Sequence, residues 1–423
     1  MVVSVKTLPL VVALSVVTAC CGSELSDNCR SFSLKLINIT ELSRDKRNVV
    51  LFPFVTWNLL FTVALAAGGE TARQVLSTLE LSHENESVLI KVNKALNEKV
   101  LHSDRTGVQY TSGIYMFSNN EFQINPVFEA TINYGLEIEN RVLDIGNSTA
   151  AAVTANSAIV SSCSKNNVFS EKDFNAMRMV ISTVTSFEGL WMLPFNAQDT
   201  TIEPFYNESG EIIHQVYMMN QRNKFPFTNI RELEAFVLEL PFGSNDKYCM
   251  LILLPYRGTT VSEVYQNLVH NLTLEDVFYN LNNDTRNYGL DNIDIKIPQF
   301  EITSNSQSNQ RLHNMGVRDM FDRKLANFSR ATSESIYVSR IARRANIKVT
   351  ESGTSACASS SAIFIDRVIP LTAVSGTAAQ RPIKSDPVYS PAFIANRPFL
   401  YYVMEKTTTT IIFGGVLSES IVF

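Results

Sequence analysis

Nine consecutive small residues, TSACASSSA from Thr354 to Ala362, carry neither charge nor proline. A flexible surface linker has that composition. A linker explains poorly why the flanking sequence, Ile336–Val349 before it and Phe399–Val416 after it, is apolar and strand-like on both sides. A central strand excludes proline and requires small or apolar residues wherever it faces a packed interior. With Thr354 inward, a period of two places Ala356, Ala358, Ser360, Ala362 and Phe364 on one face, and none of them is charged. The segment reads as a loop able to become a central strand.

The 423 residues exceed the usual single-domain size. No Pro/Gly/Ser tract, heptad or internal repeat divides them. At 45% hydrophobic content the chain can bury one large core, and a single mixed domain is expected. Thr56–Ala67 has helical length and composition, and Gly68-Gly69 stops it. A second helix follows, with Thr71 and Gln74 fitting a capping box and Val75, Leu76 and Leu79 on one face. Val88–Leu101 reads as a third, its Lys91, Lys94 and Lys99 forming a solvated face. Ala235–Leu240, Met250–Leu254, Ile293–Ile297, Phe399–Met404 and Thr410–Val416 are strands, several too apolar to have a wet face. Helices first and strands later predict an α+β fold with large, mostly antiparallel sheets.

The N-terminus carries Lys6, an apolar run from Leu8 to Ala19 and small residues from Thr18 to Ser23. That is the pattern of a signal peptide, residues 1–22 with its end between 19 and 22, leaving 23–423 as one domain. N-x-S/T sequons at Asn38, Asn85, Asn147, Asn207, Asn271, Asn283 and Asn327 fit a secreted glycoprotein. Of the six cysteines, Cys20 and Cys21 border the leader. Cys29, Cys163, Cys249 and Cys357 are scattered without metal-ligand spacing. One or two bridges are open to them, with Cys163 and Cys249 read as free buried thiols. A net charge of −5 argues against nucleic acid or an anionic membrane as partner. A monomer is expected, with no metal and no cofactor.

Catalytic signatures are missing. The five histidines lie near no G-x-S-x-G elbow, and there is no H-E-x-x-H, P-loop or Gly-rich phosphate cradle. S-x-x-K at Ser43–Lys46 and Ser162–Lys165 lacks a K-T-G partner. The chain is not read as an enzyme.

Several blocks, in order, resemble the serpin family over nearly the whole mature length. They are FEGLWMLPF (Phe187–Phe195), LELPFG (Leu238–Gly243), MLILLP (Met250–Pro255), IKIPQFEI (Ile295–Ile302), HNMGVRDMF (His313–Phe321) and FIANRPF (Phe393–Phe399). The hinge of that family stands here as Glu351, Gly353 and Thr354, followed by the small residues Ala356, Cys357, Ala358 and Ser359. The overall look is similar to insect serpins, whose targets commonly drive melanisation, clotting and innate immune signalling. The resemblance implies three β-sheets, about nine helices and an exposed reactive-centre loop, about 351–392, in a metastable native state. It implies a suicide-substrate inhibitor: a serine protease acylates itself on the bait residue, and the loop then inserts into the main sheet and deforms the protease. In inhibitory members the bait lies sixteen positions after the hinge glutamate, which assigns Arg367, with Arg367–Val368 as the reactive bond. Arginine suits the acidic S1 pocket of trypsin-like proteases. Arg381, before Pro382, and Lys384, far from the hinge, are weaker baits. A non-inhibitory carrier or binding serpin is the alternative.

The chain also departs from the family. Small polar residues expected beneath the opening point of the main sheet are replaced by Phe52 and Val55. Thr183 stands for an asparagine and Arg343 for a histidine. A hydrogen-bonded cluster becomes partly apolar, with one charge that must find a partner or reach water. Slower insertion, latency or polymerisation is the implied consequence. Cys357 is unusual in such a loop and is placed to oxidise or cross-link when exposed.

Overall fold

The structure, a computed structural model, describes residues 24–37, 48–81, 85–101, 107–159, 169–175, 177–290, 292–307, 309–366 and 392–419. Helix α1 spans 24–37, and strand β1 (Val49–Leu51) leads into α2 (Pro53–Ala66). Proline suits the first turn of α2 because its missing N–H has no intrahelical partner there. All fourteen residues of this helix are buried. A helix apolar all round belongs at the centre of a protein, and α2 packs against strands of both large sheets.

The first large sheet has six strands. In spatial order they are β11 (Phe300–Gln307), β12 (Ile336–Val349), β13 (Gly353–Asp366), β4 (Met177–Leu190), β2 (Val108–Asn119) and β3 (Asn140–Leu143). Only the β2–β3 pair is parallel. The second orders β1, β16 (Thr410–Leu417), β15 (Phe399–Glu405), β9 (Tyr248–Pro255), β8 (Ala235–Phe242) and β7 (Phe227–Ile230). Every residue of β9, β15 and β16 is buried, as strands covered on both faces must be. Helices α1, α7 (Val261–His270) and α8 (Leu274–Tyr288) cover its outer face through Ile37, Val264, Leu268, Leu274 and Val277. A smaller sheet joins β14 (Ala392–Ile394), β10 (Asn292–Pro298), β6 (Ile212–Lys224) and β5 (Thr201–Tyr206). Helix α6 (Ser148–Ala158) shields the outer face of the first sheet, where Ala151 and Ala155 share a cluster with Val180, Val184 and Ile363.

This is the expected α+β architecture of three sheets. Helices α3 (Gly69–Thr78), α4 (Glu86–Leu101), α5 (Pro126–Leu136) and α9 (Asn309–Asn314) complete nine α-helices among the described residues. None of them is long and apolar enough to cross a membrane. The expected capping box of α3 is absent, because that helix starts earlier, with Gly68 as N-cap. Thr71 lies inside the first turn, its hydroxyl accepting the Asn327 N–H at 3.0 Å, and the Gln74 Oε1 accepts the N–H groups of Arg318 and Asp319. Both residues tie the helix to a distant loop. Strand β4 escaped the period-two reading because Ser182, Thr183, Thr185 and Ser186 are buried within it on both faces.

Where an exposed loop is expected, this structure holds the hinge half in its inserted form: Gly353–Asp366 is the strand β13, hydrogen-bonded between β12 and β4. The physical reason is the pattern that identified the segment. Its small, uncharged residues fit the interior, and insertion satisfies the backbone groups of β13 on both edges.

Candidate functional site

The site is β13 with the turn that feeds it. Thr354, Ala356, Ala358, Ser360, Ala362 and Phe364 all face the core at 4% exposure or less, as the period of two requires. On the opposite face Ser355 is exposed and Cys357 half-buried, while Ser359, Ser361 and Ile363 are covered. The Ser361 and Ser182 hydroxyls are 2.8 Å apart.

The hinge turn is held from three sides. Thr350 and Gly353 exchange backbone hydrogen bonds, with Thr350 N–H donating to Gly353 O at 2.9 Å. Trp191, stacked on Phe242, donates its backbone N–H to Ser352 O at 3.0 Å and its indole N–H to Thr350 O at 2.8 Å. Glu351 accepts through its backbone carbonyl from Phe195 and through Oε1 from Thr200 and Gln299. Burial pushes the Glu351 carboxyl up, but the bonds from Thr200, its own backbone and Gln299 outweigh it and hold the group below the usual glutamate range. A depressed folded value means stability present above the unfolded pKa and lost as pH falls through the folded one. The hinge should therefore loosen in acid below the ordinary glutamate range. Glu351→Gln should flatten that limb in a pH series of urea midpoints.

Gly353 sits hard against the backbone of β4. A Cβ there would lie 2.1 Å from Gly189 O and 2.9 Å from Leu190 Cα. Both are backbone atoms and cannot rotate away, so Gly353→Ala should weaken full insertion by about 1–3 kcal/mol. A lower urea midpoint of the inserted form, without change in an uninserted one, is the expected readout.

The four substituted positions beneath the sheet do come together. Phe52 and Val55, at the entry of α2, line a small cavity with Arg343 and Ser360. Phe52 also packs edge-on against Phe413 at 4.5 Å. In the strand register Arg343 lies opposite Ser360, and Ser360 opposite Thr183. Arg343 is 8% exposed, and none of its three guanidinium nitrogens has a hydrogen-bond partner. Burial, with Arg311 as a like charge nearby, pushes its pKa down to about 9. The Thr183 and Ser360 hydroxyls are also buried and unpartnered. The sequence flagged four members of this cluster and missed Ser360, whose role depends on which strand becomes its neighbour.

Cys357 is disulfide-bonded, while Cys29 and Cys249 are free and buried, so its partner is outside the described residues, as is Cys163. The expected reactive bond Arg367–Val368, the weaker candidate baits Arg381 and Lys384, the expected leader 1–22 and Asn38 also lie outside them. Of the other sequons, Asn85, Asn147 and Asn271 are exposed and Asn207, Asn283 and Asn327 half-buried.

The family described as Serpin (serine protease inhibitor) matches residues 27–419. "Serine protease inhibitor 88Ea" of Drosophila melanogaster is 24% identical over 420 residues, covering 92% of this chain and 89% of that protein. "Intracellular coagulation inhibitor 2" of Tachypleus tridentatus is 25% identical over 385 residues, covering 89% and 87%. Among solved structures, "Cleaved Serpin 42Da" superposes with a TM-score of 0.77 at 20% identity, over 94% of this chain and 100% of that one. The thermophilic serpin tengpin in its latent state gives 0.71 at 18%, over 94% and 98%.

Proposed function

This chain belongs to the serpin family, whose members are in the main protease inhibitors that act by conformational change, and we propose that it is a secreted suicide-substrate inhibitor of trypsin-like serine proteases with Arg367 as bait. The observation that carries this reading is β13. Fourteen residues ending at Asp366 occupy a central strand, and their core face admits no charge and no bulk until Phe364. A protease whose serine Oγ attacks the Arg367 carbonyl forms an acyl-enzyme ester. The bond to Val368 breaks, and the protease's histidine delivers the proton to the leaving amine. The protease is then tethered one residue beyond the strand. Insertion carries it along the sheet, a distance of order 50 Å for an extended segment of this length. All bond chemistry belongs to the protease; this chain supplies bait, tether and the free energy of the added strand.

The unpartnered Arg343 favours a second reading, a non-inhibitory serpin acting as carrier or binding protein, since a buried bare charge is a poor place for a sheet to open and close. Incubation with trypsin on denaturing gels separates the two. A stable high-mass band with a released fragment starting at Val368 is expected. Cleavage without a band, by trypsin and by other trypsin-like proteases, would favour the carrier. A fragment starting after Lys384 would overturn the bait.

A further inference from the structure

The cavity beneath the main sheet joins features that individually are costly. Arg343, more than nine-tenths buried, lines it, and none of its three guanidinium nitrogens has a hydrogen-bond partner. The hydroxyl of Ser360, another lining residue, and that of Thr183 across the register are buried without partners. The first turn of α2 lines the same space through Phe52, Val55 and Thr56, and that end of the helix has no side-chain cap and no acidic residue. A fourteen-residue helix presents partial positive charge there. Among the described residues no carboxylate pairs with Arg343 or stands in that first turn. Asp173, the acid paired to this part of β12, binds Arg340 and lies 4.0 Å from Arg344, which alternates with Arg343 along the strand and so lies on its other face. Arg311 adds a like charge.

A buried cation in such surroundings needs a counter-charge or a large compensation. The space is about 10 Å³, roughly one water-sized particle. A space of that size favours a small ion over phosphate, sulfate or an organic carboxylate. We propose that this cavity is a binding site for a single monatomic anion, chloride in physiological fluid, held by the Arg343 guanidinium with the Ser360 hydroxyl donating to it. Ser360 belongs to β13, so the site is complete only after insertion. The anion therefore binds the inserted form in preference to an uninserted one and shifts the equilibrium toward it.

Crystals of the full chain in its loop-inserted form, soaked in bromide and measured at the bromine absorption edge, test this without any variant. An anomalous peak in the cavity, in contact with the Arg343 guanidinium, is expected. Bromide at surface sites with only water in the cavity would overturn the proposal. In solution, replacing gluconate by chloride at equal ionic strength should raise the urea midpoint of the inserted form. For a millimolar site at physiological chloride the folded state gains about 100-fold in population. Ser360→Ala should shrink that gain and Arg343→Met should abolish it; equal midpoints in the two salts for the unmodified protein would contradict it.

Discussion

Ala358→Glu should turn the proposed trap into a substrate that trypsin simply cleaves. Ala358 faces the core at 4% exposure in a cluster that includes Ala345, its register partner on β12. A glutamate there must enter ionised and unpaired, or take up a proton, at a cost of several kcal/mol. If about 3 kcal/mol of that cost falls on the inserting step, insertion slows about 100-fold. Deacylation by water then wins, and complex yield on denaturing gels collapses while cleavage after Arg367 continues. Ser355→Glu is the matched control, because Ser355 is exposed on the opposite face of the same strand and a charge there stays in water. Equal complex yields from both variants would mean that insertion of this strand is not what arrests the protease.

Arg367→Ala should reduce the rate of complex formation with trypsin on the order of 10⁴-fold, since an acidic specificity pocket built for a cation is left with its carboxylate unmatched. The inserting strand is untouched, so Arg367→Phe should restore trapping against a chymotrypsin-like protease. Progress curves at several inhibitor concentrations give both rates. Undiminished inhibition of trypsin by Arg367→Ala would move the bait elsewhere, to Lys384 first.

The inward face of β13 was legible because one elementary rule governs it: period two plus the exclusion of charge and proline from a covered strand. The uniformly apolar strands β9, β15 and β16 and the all-round apolar helix α2 were legible for a similar reason, since their composition leaves no wet face. The position of the loop was not. A run of alanines and serines is tolerated in water and in a sheet alike, so composition states the capacity to insert and not which form is occupied. Gly353 against Gly189, Gln74 against the 318–319 turn and the Arg343–Ser360–Thr183 row are long-range pairings fixed by register, on which local sequence is silent. The charge of Arg343 was visible; its isolation required knowing that Asp173, the acid beside this part of β12, is committed to Arg340 on the other face.

The account stands on Gly353–Asp366 moving from an exposed loop into the main sheet when the bond after Arg367 is broken. Hydrogen–deuterium exchange of peptides covering 353–366, before and after trypsin cleavage, follows that directly. Freshly folded protein should exchange this segment within seconds, and cleavage should slow it by several orders of magnitude, toward the protection of core strands. Protection already complete before cleavage and unchanged by it, or rapid exchange in both states, would contradict the account.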